Sequence, residues 1–227
     1  QPMGFYAPAQ IVQDMERHDV KVLPICIEHS FWDCSLEPDG AGNLAVRLGF
    51  RQIKGLAEEE ARWITGARGN GYRSVDAVWR RAGLKQRSLS LLAHADAFHI
   101  YGLNRREALW QIKALPRSGA LPLFADIGEG LPEISSLLPE LTNAQQVYED
   151  YVSTRLTLRE HPIKLLSIEL GQRALASEQR DYTDGHSITV CGLVVTRQRP
   201  GTASGVIFLT LEDDTGVSNV IIWGRLF

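Results

Sequence analysis

Eight residues, Gly49-Phe50-Arg51-Gln52-Ile53-Lys54-Gly55-Leu56, carry the clearest chemistry in the chain. Gly55 has no Cβ, so it can take a positive φ and let its backbone approach a ligand closely. A helix is predicted just after it, and the free amides at a helix start favour an anion. Arg51 and Lys54 flank the turn. A tight turn that combines a glycine, a lysine and a helix N-terminus can grip a phosphate group. An ordinary loop-to-helix turn has the same local composition, so the elements around it must decide.

Charge is the first of these. The 227 residues carry a net charge of −3, but the sign is segregated. Residues 44–114 hold 13 Lys+Arg against 6 Asp+Glu, residues 1–43 hold 2 against 7, and residues 115–185 hold 6 against 11. A local basic block on an acidic chain suits a polyanion-binding face; a solvated helical surface would also account for it. The block reads as short helices joined by brief loops. One runs from Ala57 through Ala61, Ile64 and Ala67, with Glu58, Glu59 and Glu60 complementing its dipole. Ser74 caps the next. Ser88 is expected to cap a helix over Leu89–Ala95, and Asn104 one over Arg105–Ala114. Arg62, Arg68, Arg73, Arg80, Arg81, Lys85, Arg87, Arg105 and Arg106 are spread through them. That pattern suits many phosphate contacts and little base reading, as in a helix-hairpin-helix module on duplex DNA.

Upstream, residues 7–19 read as a helix and Lys21–Ile27 as a buried strand, the tail of a larger α/β region. Residues 116–141 contain four prolines and read as a linker. Its Leu121-Pro122-Leu123-Phe124 is an apolar peptide of a kind that docks in a groove, or packs on its own domain. Helix returns over 142–171, and His161, with no Ser, Cys or carboxylate partner in the pattern, is read as a structural turn residue. From Ser187 the period changes to two. Ser187–Thr196, Val206–Leu211 and Val217–Trp223 read as strands. They are separated by a basic loop with Arg197 and Arg199 and by an acidic turn at Asp213-Asp214. Such a meander matches the opening strands of an OB barrel, whose basic loops and aromatics bind single strands. Arg197, Arg199, Phe208 and Trp223 are the candidates, with at least one of the two aromatics expected in the core. Because only three strands fit, an open edge along the third is expected.

Cys26, Cys34 and Cys191 are too few and odd for a disulfide framework, which fits a reducing cytoplasm. No Cys/His spacing matches a standard zinc site, and Asp213-Asp214 reads as a turn former rather than a metal pair. No catalytic or metal residue is assigned. No apolar run is long enough to span a membrane. The chain opens on Gln1 rather than Met and is expected to be an internal piece of a longer protein.

The order of parts, together with particular runs, resembles the bacterial C-family DNA polymerases, the alpha-subunit family of polymerase III. The runs are Gly49–Leu56, Arg73-Ser74-Val75, Leu92-Ala93-His94-Ala95-Asp96-Ala97-Phe98 and Asn104-Arg105-Arg106-Glu107-Ala108-Leu109-Trp110. Arg197-Gln198-Arg199-Pro200-Gly201-Thr202, Phe208 to Gly216, Met3-Gly4-Phe5-Tyr6 and Trp32-Asp33-Cys34 are similar to the error-prone branch in particular. The resemblance covers essentially the whole chain. It implies an α+β piece in four parts: the end of a fingers region over 1–43, a tandem helix-hairpin-helix domain over 44–115, a proline-rich linker with helices over 116–185, and the first strands of an OB fold over 186–227. It further implies a DNA-directed DNA polymerase of damage-induced mutagenesis and translesion synthesis. Its catalytic aspartates and Mg²⁺ would lie in a palm domain that no stretch here matches. The DNA-binding residues it points to are Arg51, Lys54, Gly55, Arg68, Arg73, Arg105, Arg106, Arg197, Arg199 and Trp223. The implied partners are duplex DNA, single-stranded template and accessory mutagenesis proteins. Where replicative relatives carry a sliding-clamp peptide beginning with Gln, Ala120-Leu121-Pro122-Leu123-Phe124 stands, so weak or indirect clamp binding is expected. Two other readings remain open on the residues: a stand-alone helix-hairpin-helix plus OB module of a repair or replication protein, and an anticodon-binding OB piece of a tRNA synthetase.

Overall fold

The computed structural model describes residues 7–116, 138–201 and 205–226. They are mixed helix and sheet, α+β, and divide into two compact units, Gln1–Leu158 and Arg159–Phe227. The Met3–Tyr6 run, the Leu121–Phe124 peptide and Thr202 of the basic loop lie outside the described residues. No helix among the described residues is long and apolar enough to cross a membrane.

The first unit opens with α1, Pro8–Arg17, whose proline sits in the first turn, where its missing N–H costs nothing. Three short strands follow: β1, Val22–Leu23; β2, Ser35–Pro38; and β3, Leu44–Arg47. They form a sheet in the order β1-β3-β2, with Val22 parallel to Val46 and Leu36 antiparallel to it. The strand expected over Lys21–Ile27 is therefore shorter than its apolar run. Pro24 has no N–H to give the ladder, and beyond it Ile25, Cys26 and Ile27 turn into the core instead. There the Ile27 N–H donates to the Ala97 carbonyl at 2.9 Å and the Cys26 N–H to Ser30 Oγ at 2.9 Å.

Five helices build the rest of this unit: α2, Glu58–Ala67; α3, Val75–Ala82; α4, Gln86–His94; α5, Arg105–Ala114; and α6, Asn143–Thr154. The apolar faces of α2 to α5 meet in one core around Phe50, Ile64, Val78, Leu89, Leu92, Phe98 and Ile112, all fully buried. Burying each phenylalanine contributes about 1.5–3 kcal/mol. The same core takes in Val12, Ile25 and Ile27 from the start of the chain and Leu156 from after α6. Ser74 caps α3, its Oγ accepting the Ala77 N–H at 3.1 Å. Asn104 and Glu107 exchange side-chain and backbone bonds in a capping box that starts α5. The expected cap at Ser88 is not a cap. Helix α4 begins earlier, at Gln86 after Lys85, and the buried Ser88 hydroxyl inside it donates to Glu60 of α2.

The second unit holds α7, Pro162–Leu165, and α8, Ser167–Leu170, a 3₁₀ stretch Ala176–Asp181, and three strands: β4, Leu193–Gln198; β5, Ile207–Glu212; and β6, Val217–Ile222. His161 caps α7, its Nδ1 accepting the Ile163 N–H at 3.2 Å. The strands form an antiparallel meander in the order β4-β5-β6, in which β6 pairs with β5 alone among the described residues. The first strand was expected from Ser187. It starts at Leu193 because Leu193 is opposite Glu212, the last residue of β5, so earlier residues have no β5 partner. The buried Asp213 shapes the turn between β5 and β6. Its Oδ1 accepts the N–H of Thr215 (2.8 Å) and of Gly216 (2.9 Å) and the Thr215 hydroxyl (2.7 Å), and its Oδ2 accepts the Ala176 N–H at 2.8 Å.

Candidate nucleic-acid interface

The stretch Gly49–Leu56 is a compact plug with an exposed tip. Phe50 starts a 3₁₀ turn, Phe50–Gln52, and Phe50, Ile53 and Leu56 all point into the core. Gly49 is the packing glycine: a Cβ built there would lie 2.4 Å from the Trp32 carbonyl oxygen. That close approach lets the Phe50 N–H reach the Phe31 carbonyl at 2.8 Å and the Arg51 N–H the Trp32 carbonyl at 2.9 Å. Gly55 is the conformational glycine, with φ of 86° and an exposed backbone. The tip is also tied to α6, because the Lys54 N–H donates to the Ser153 carbonyl at 2.8 Å. The Ala57 N–H donates to Glu60 Oε2 at 3.1 Å. The Lys54 and Ala57 amides are thus both engaged within the protein. Helix α2 answers its own dipole with Glu58, Glu59 and Glu60. To a phosphate the tip adds side-chain charge and the glycine's clearance.

That charge depends on which cations are already spent. Arg47 is nearly buried and gives a forked contact to Glu37, holding that carboxyl below the usual range through hydrogen bonds. Arg51 pairs with Asp33 at 3.0 Å and lies over the Trp32 ring. Arg62 pairs with Glu58 and Arg80 with Asp76. Arg68, half-buried, donates to the Ser30 carbonyl and sits over the Phe31 ring, and its desolvation pulls the guanidinium pKa down. Arg81 donates to the carbonyls of Ala67, Arg68 and Gly71 and covers the Tyr72 ring. Arg105 is 3% exposed; it contacts Asp150 and Gln146 of α6. Arg106 donates to the Pro139 carbonyl at 2.8 Å. Lys54, Arg73, Lys85, Arg87 and Lys113 make no side-chain contact of these kinds with any described residue.

Of the sequence candidates in this unit, Lys54, Gly55 and Arg73 are exposed and free to meet a ligand, and Arg51 is exposed with its charge shared. Arg68 and Arg105 are engaged inside the protein, and Arg106 is engaged at its surface. Arg87, part of the general basic set only, stands beside the tip. A Cβ built on Gly55 would lie 3.9 Å from its Nη2 and 3.8 Å from Leu91 Cδ1. Of the residues that fasten the tip, Glu60 acts locally, three residues after Ala57, whereas Ser153 acts over a long separation and carries no sequence signal beyond helix membership.

Arg73 stands at the rim of an open hollow of about 600 Å³ lined by Glu28, His29, Asn70 and Tyr101. At its base Glu28 Oε1 accepts the Tyr72 N–H at 2.8 Å and the Tyr101 hydroxyl. Burial, then that carboxylate, pushes the Tyr101 pKa far up, so the phenol stays protonated and donating.

In the second unit, Arg197 lies within β4 opposite Leu209, not in the loop where it was expected, and Arg199 follows the strand. The expectation that Phe208 or Trp223 is buried is corrected: both are exposed, at 39% and 56%. Phe208 is opposite Ile221 on β6 and Gln198 on β4, and all three lie on the face away from Arg197 and Leu209. The meander has no second layer over Phe208 and Ile221 among the described residues, so alternation alone buries neither.

Among the described residues no group of three or more His, Cys, Asp or Glu side chains could hold a metal ion. Asp213, the acid nearest a two-carboxylate pattern, has its oxygens filled by four donors. The residues do not fit a Mg²⁺ centre, and no metal-assisted step is derived from them.

Residues 19–108, the small sheet and the helices through the start of α5, match the helix-hairpin-helix motif family. Over its whole length the chain is 53% identical to the error-prone DNA polymerase of Ruegeria pomeroyi, of which it covers 21%. It is 48% identical to error-prone DNA polymerase 2 of Rhizobium meliloti and 47% identical to error-prone DNA polymerase 2 of Agrobacterium fabrum, covering 22% of each. The chain is thus similar along its whole length to these error-prone DNA polymerases, and it spans about one fifth of the length of the curated relatives it matches.

Proposed function

We propose that this chain is the DNA-holding C-terminal part of an error-prone DNA-directed DNA polymerase that acts in damage-induced mutagenesis and translesion synthesis. The observation that carries this reading is the exposed, unspent Lys54 beside the positive-φ Gly55, inside a matched helix-hairpin-helix block. In this reading the first unit grips the duplex backbone through Lys54, Gly55 and Arg73, with Arg51 joining when it leaves Asp33. Residues 1–43 end a fingers region, 44–115 form the tandem hairpin domain and 116–185 the linker. Residues 186–227 begin an OB fold whose Arg197, Arg199 and Trp223 meet single-stranded template. Nucleotidyl transfer and its Mg²⁺ belong to a palm elsewhere in the parent. Accessory mutagenesis proteins recruit it in the cytoplasm, and the sliding clamp binds it weakly or indirectly.

The test is fluorescence anisotropy of the 227-residue chain with a labelled DNA duplex, the matching single strand and an RNA of the same sequence. The expected result is duplex binding that weakens linearly on a log–log plot against salt, with little sequence preference. Absence of duplex binding at low salt, or RNA bound in preference to DNA, overturns the reading.

A further inference from the structure

The tip of the hairpin has a second cation, and it comes from a different helix. We propose that Arg87 of α4 is the second arm of the phosphate clasp. In this arrangement it holds, from the far side of Gly55, the same DNA phosphodiester that Lys54 meets. The inference rests on the duplex-binding reading above and deepens it.

Four observations converge. Arg87 Nη2 lies 3.9 Å from where a Gly55 Cβ would stand, with Leu91 of the same helix at 3.8 Å, so the glycine tip rests on this face of α4. Arg87 is exposed and has no hydrogen bond, ion pair or ring contact with any described residue, whereas most arginines of the block are engaged. Its place is fixed by its chain neighbour: the buried Ser88 donates to Glu60, the same carboxylate that accepts the Ala57 N–H after the tip. Finally, three acids occupy the first turn of α2, and the Lys54 amide is held by Ser153. Side-chain cations are therefore needed to offset these acids and strengthen the attraction for an anion at this point. A guanidinium suits the task, because its planar fork can take two phosphate oxygens at once.

The experiment compares duplex binding of the chain with Arg87→Ala, Arg87→Lys, Lys54→Ala and Arg62→Ala across about 50–200 mM salt. Arg62, paired with Glu58 on the neighbouring helix, is the control for charge alone. Arg87→Ala is expected to weaken binding and make the log–log salt slope shallower by about 1, as for one lost phosphate contact. Arg87→Lys should restore the slope but only part of the affinity, and Arg62→Ala should change neither. If Arg87→Ala keeps the full slope and affinity while Lys54→Ala loses them, the clasp has one arm and the inference fails, with the duplex reading intact. If the unmodified chain does not bind duplex, both fall. Should Arg87→Ala not fold, Arg87→Gln keeps most of the stem and is read in the same way.

Discussion

Arg105 of α5 and Asp150 of α6 form a buried ion pair across a wide gap in sequence. Arg105 is 3% exposed, and the same guanidinium reaches Gln146. The pair seats α6 on the helical block, and its role is structural.

Breaking one partner of such a pair strands a charge in a poorly solvated site. Arg105→Ala is expected to lower unfolding stability by roughly 3–5 kcal/mol, read by urea denaturation. Replacing both partners by apolar residues of similar size should recover much of that loss. At temperatures where Arg105→Ala remains folded, its salt slope for duplex DNA should match the parent's; a shallower slope would make Arg105 a phosphate contact after all.

The two glycines of the hairpin should fail differently. Gly49→Ala drives a methyl against the Trp32 and Asp33 backbone, with contacts of 2.4 Å that no rotamer can relieve. It is expected to abolish folding of the first unit, judged by near-ultraviolet circular dichroism. Gly55→Ala meets only ordinary contacts, so its cost is the positive φ, roughly 1–2 kcal/mol. The chain should fold and bind DNA more weakly. Equal losses for the two would contradict this division of labour.

A base stacked on an aromatic contributes about 1–3 kcal/mol. Trp223→Ala is therefore expected to weaken single-stranded DNA binding by that order and to leave duplex binding unchanged. Loss of both together, in a variant that melts like the parent, would place Trp223 on a shared or structural surface.

Asp213 sets an acid limit on the second unit. Burial by itself would raise its pKa, but hydrogen bonds from the Thr215 hydroxyl and the Ala176, Thr215 and Gly216 amides outweigh it and hold the carboxyl below its ordinary value. A depressed native pKa stabilises the fold above the unfolded value, near 3.9, and that contribution disappears as pH falls through the native one. Amide exchange at Ala176, Thr215 and Gly216 should accelerate as pH drops below about 4, after correction for intrinsic rates. Asp213→Asn should remove most of that pH dependence. A pH-independent protection pattern in the parent would refute the assignment.

Local chemistry made part of this molecule legible in its sequence. The hairpin glycine, the caps at Ser74 and Asn104 and the meander of the second unit rest on near neighbours, and the pattern carried them. The spent cations rest on distant partners: Arg68 on the Ser30 carbonyl, Arg105 on Asp150, Arg81 on three carbonyls before its own helix. Composition sees all of these as equal positive charge. Periodicity held one usable clue. Arg105, Ala108 and Ile112 share a helix face, and the two apolar members mark that face as the core side. The start of β4 was misplaced because a strand needs a partner of matching length, and β5 ends at Glu212.

The bond from the Lys54 amide to the Ser153 carbonyl bears on how the protein is made. The hairpin tip emerges from the ribosome long before α6 does. Until α6 docks, one backbone donor at the tip has only water, and Arg105 has no Asp150. The hairpin tip is thus fastened late, by a segment synthesised after the proline-rich stretch. A nascent chain stalled before α6 would display the basic block with its hairpin tip not yet tied down.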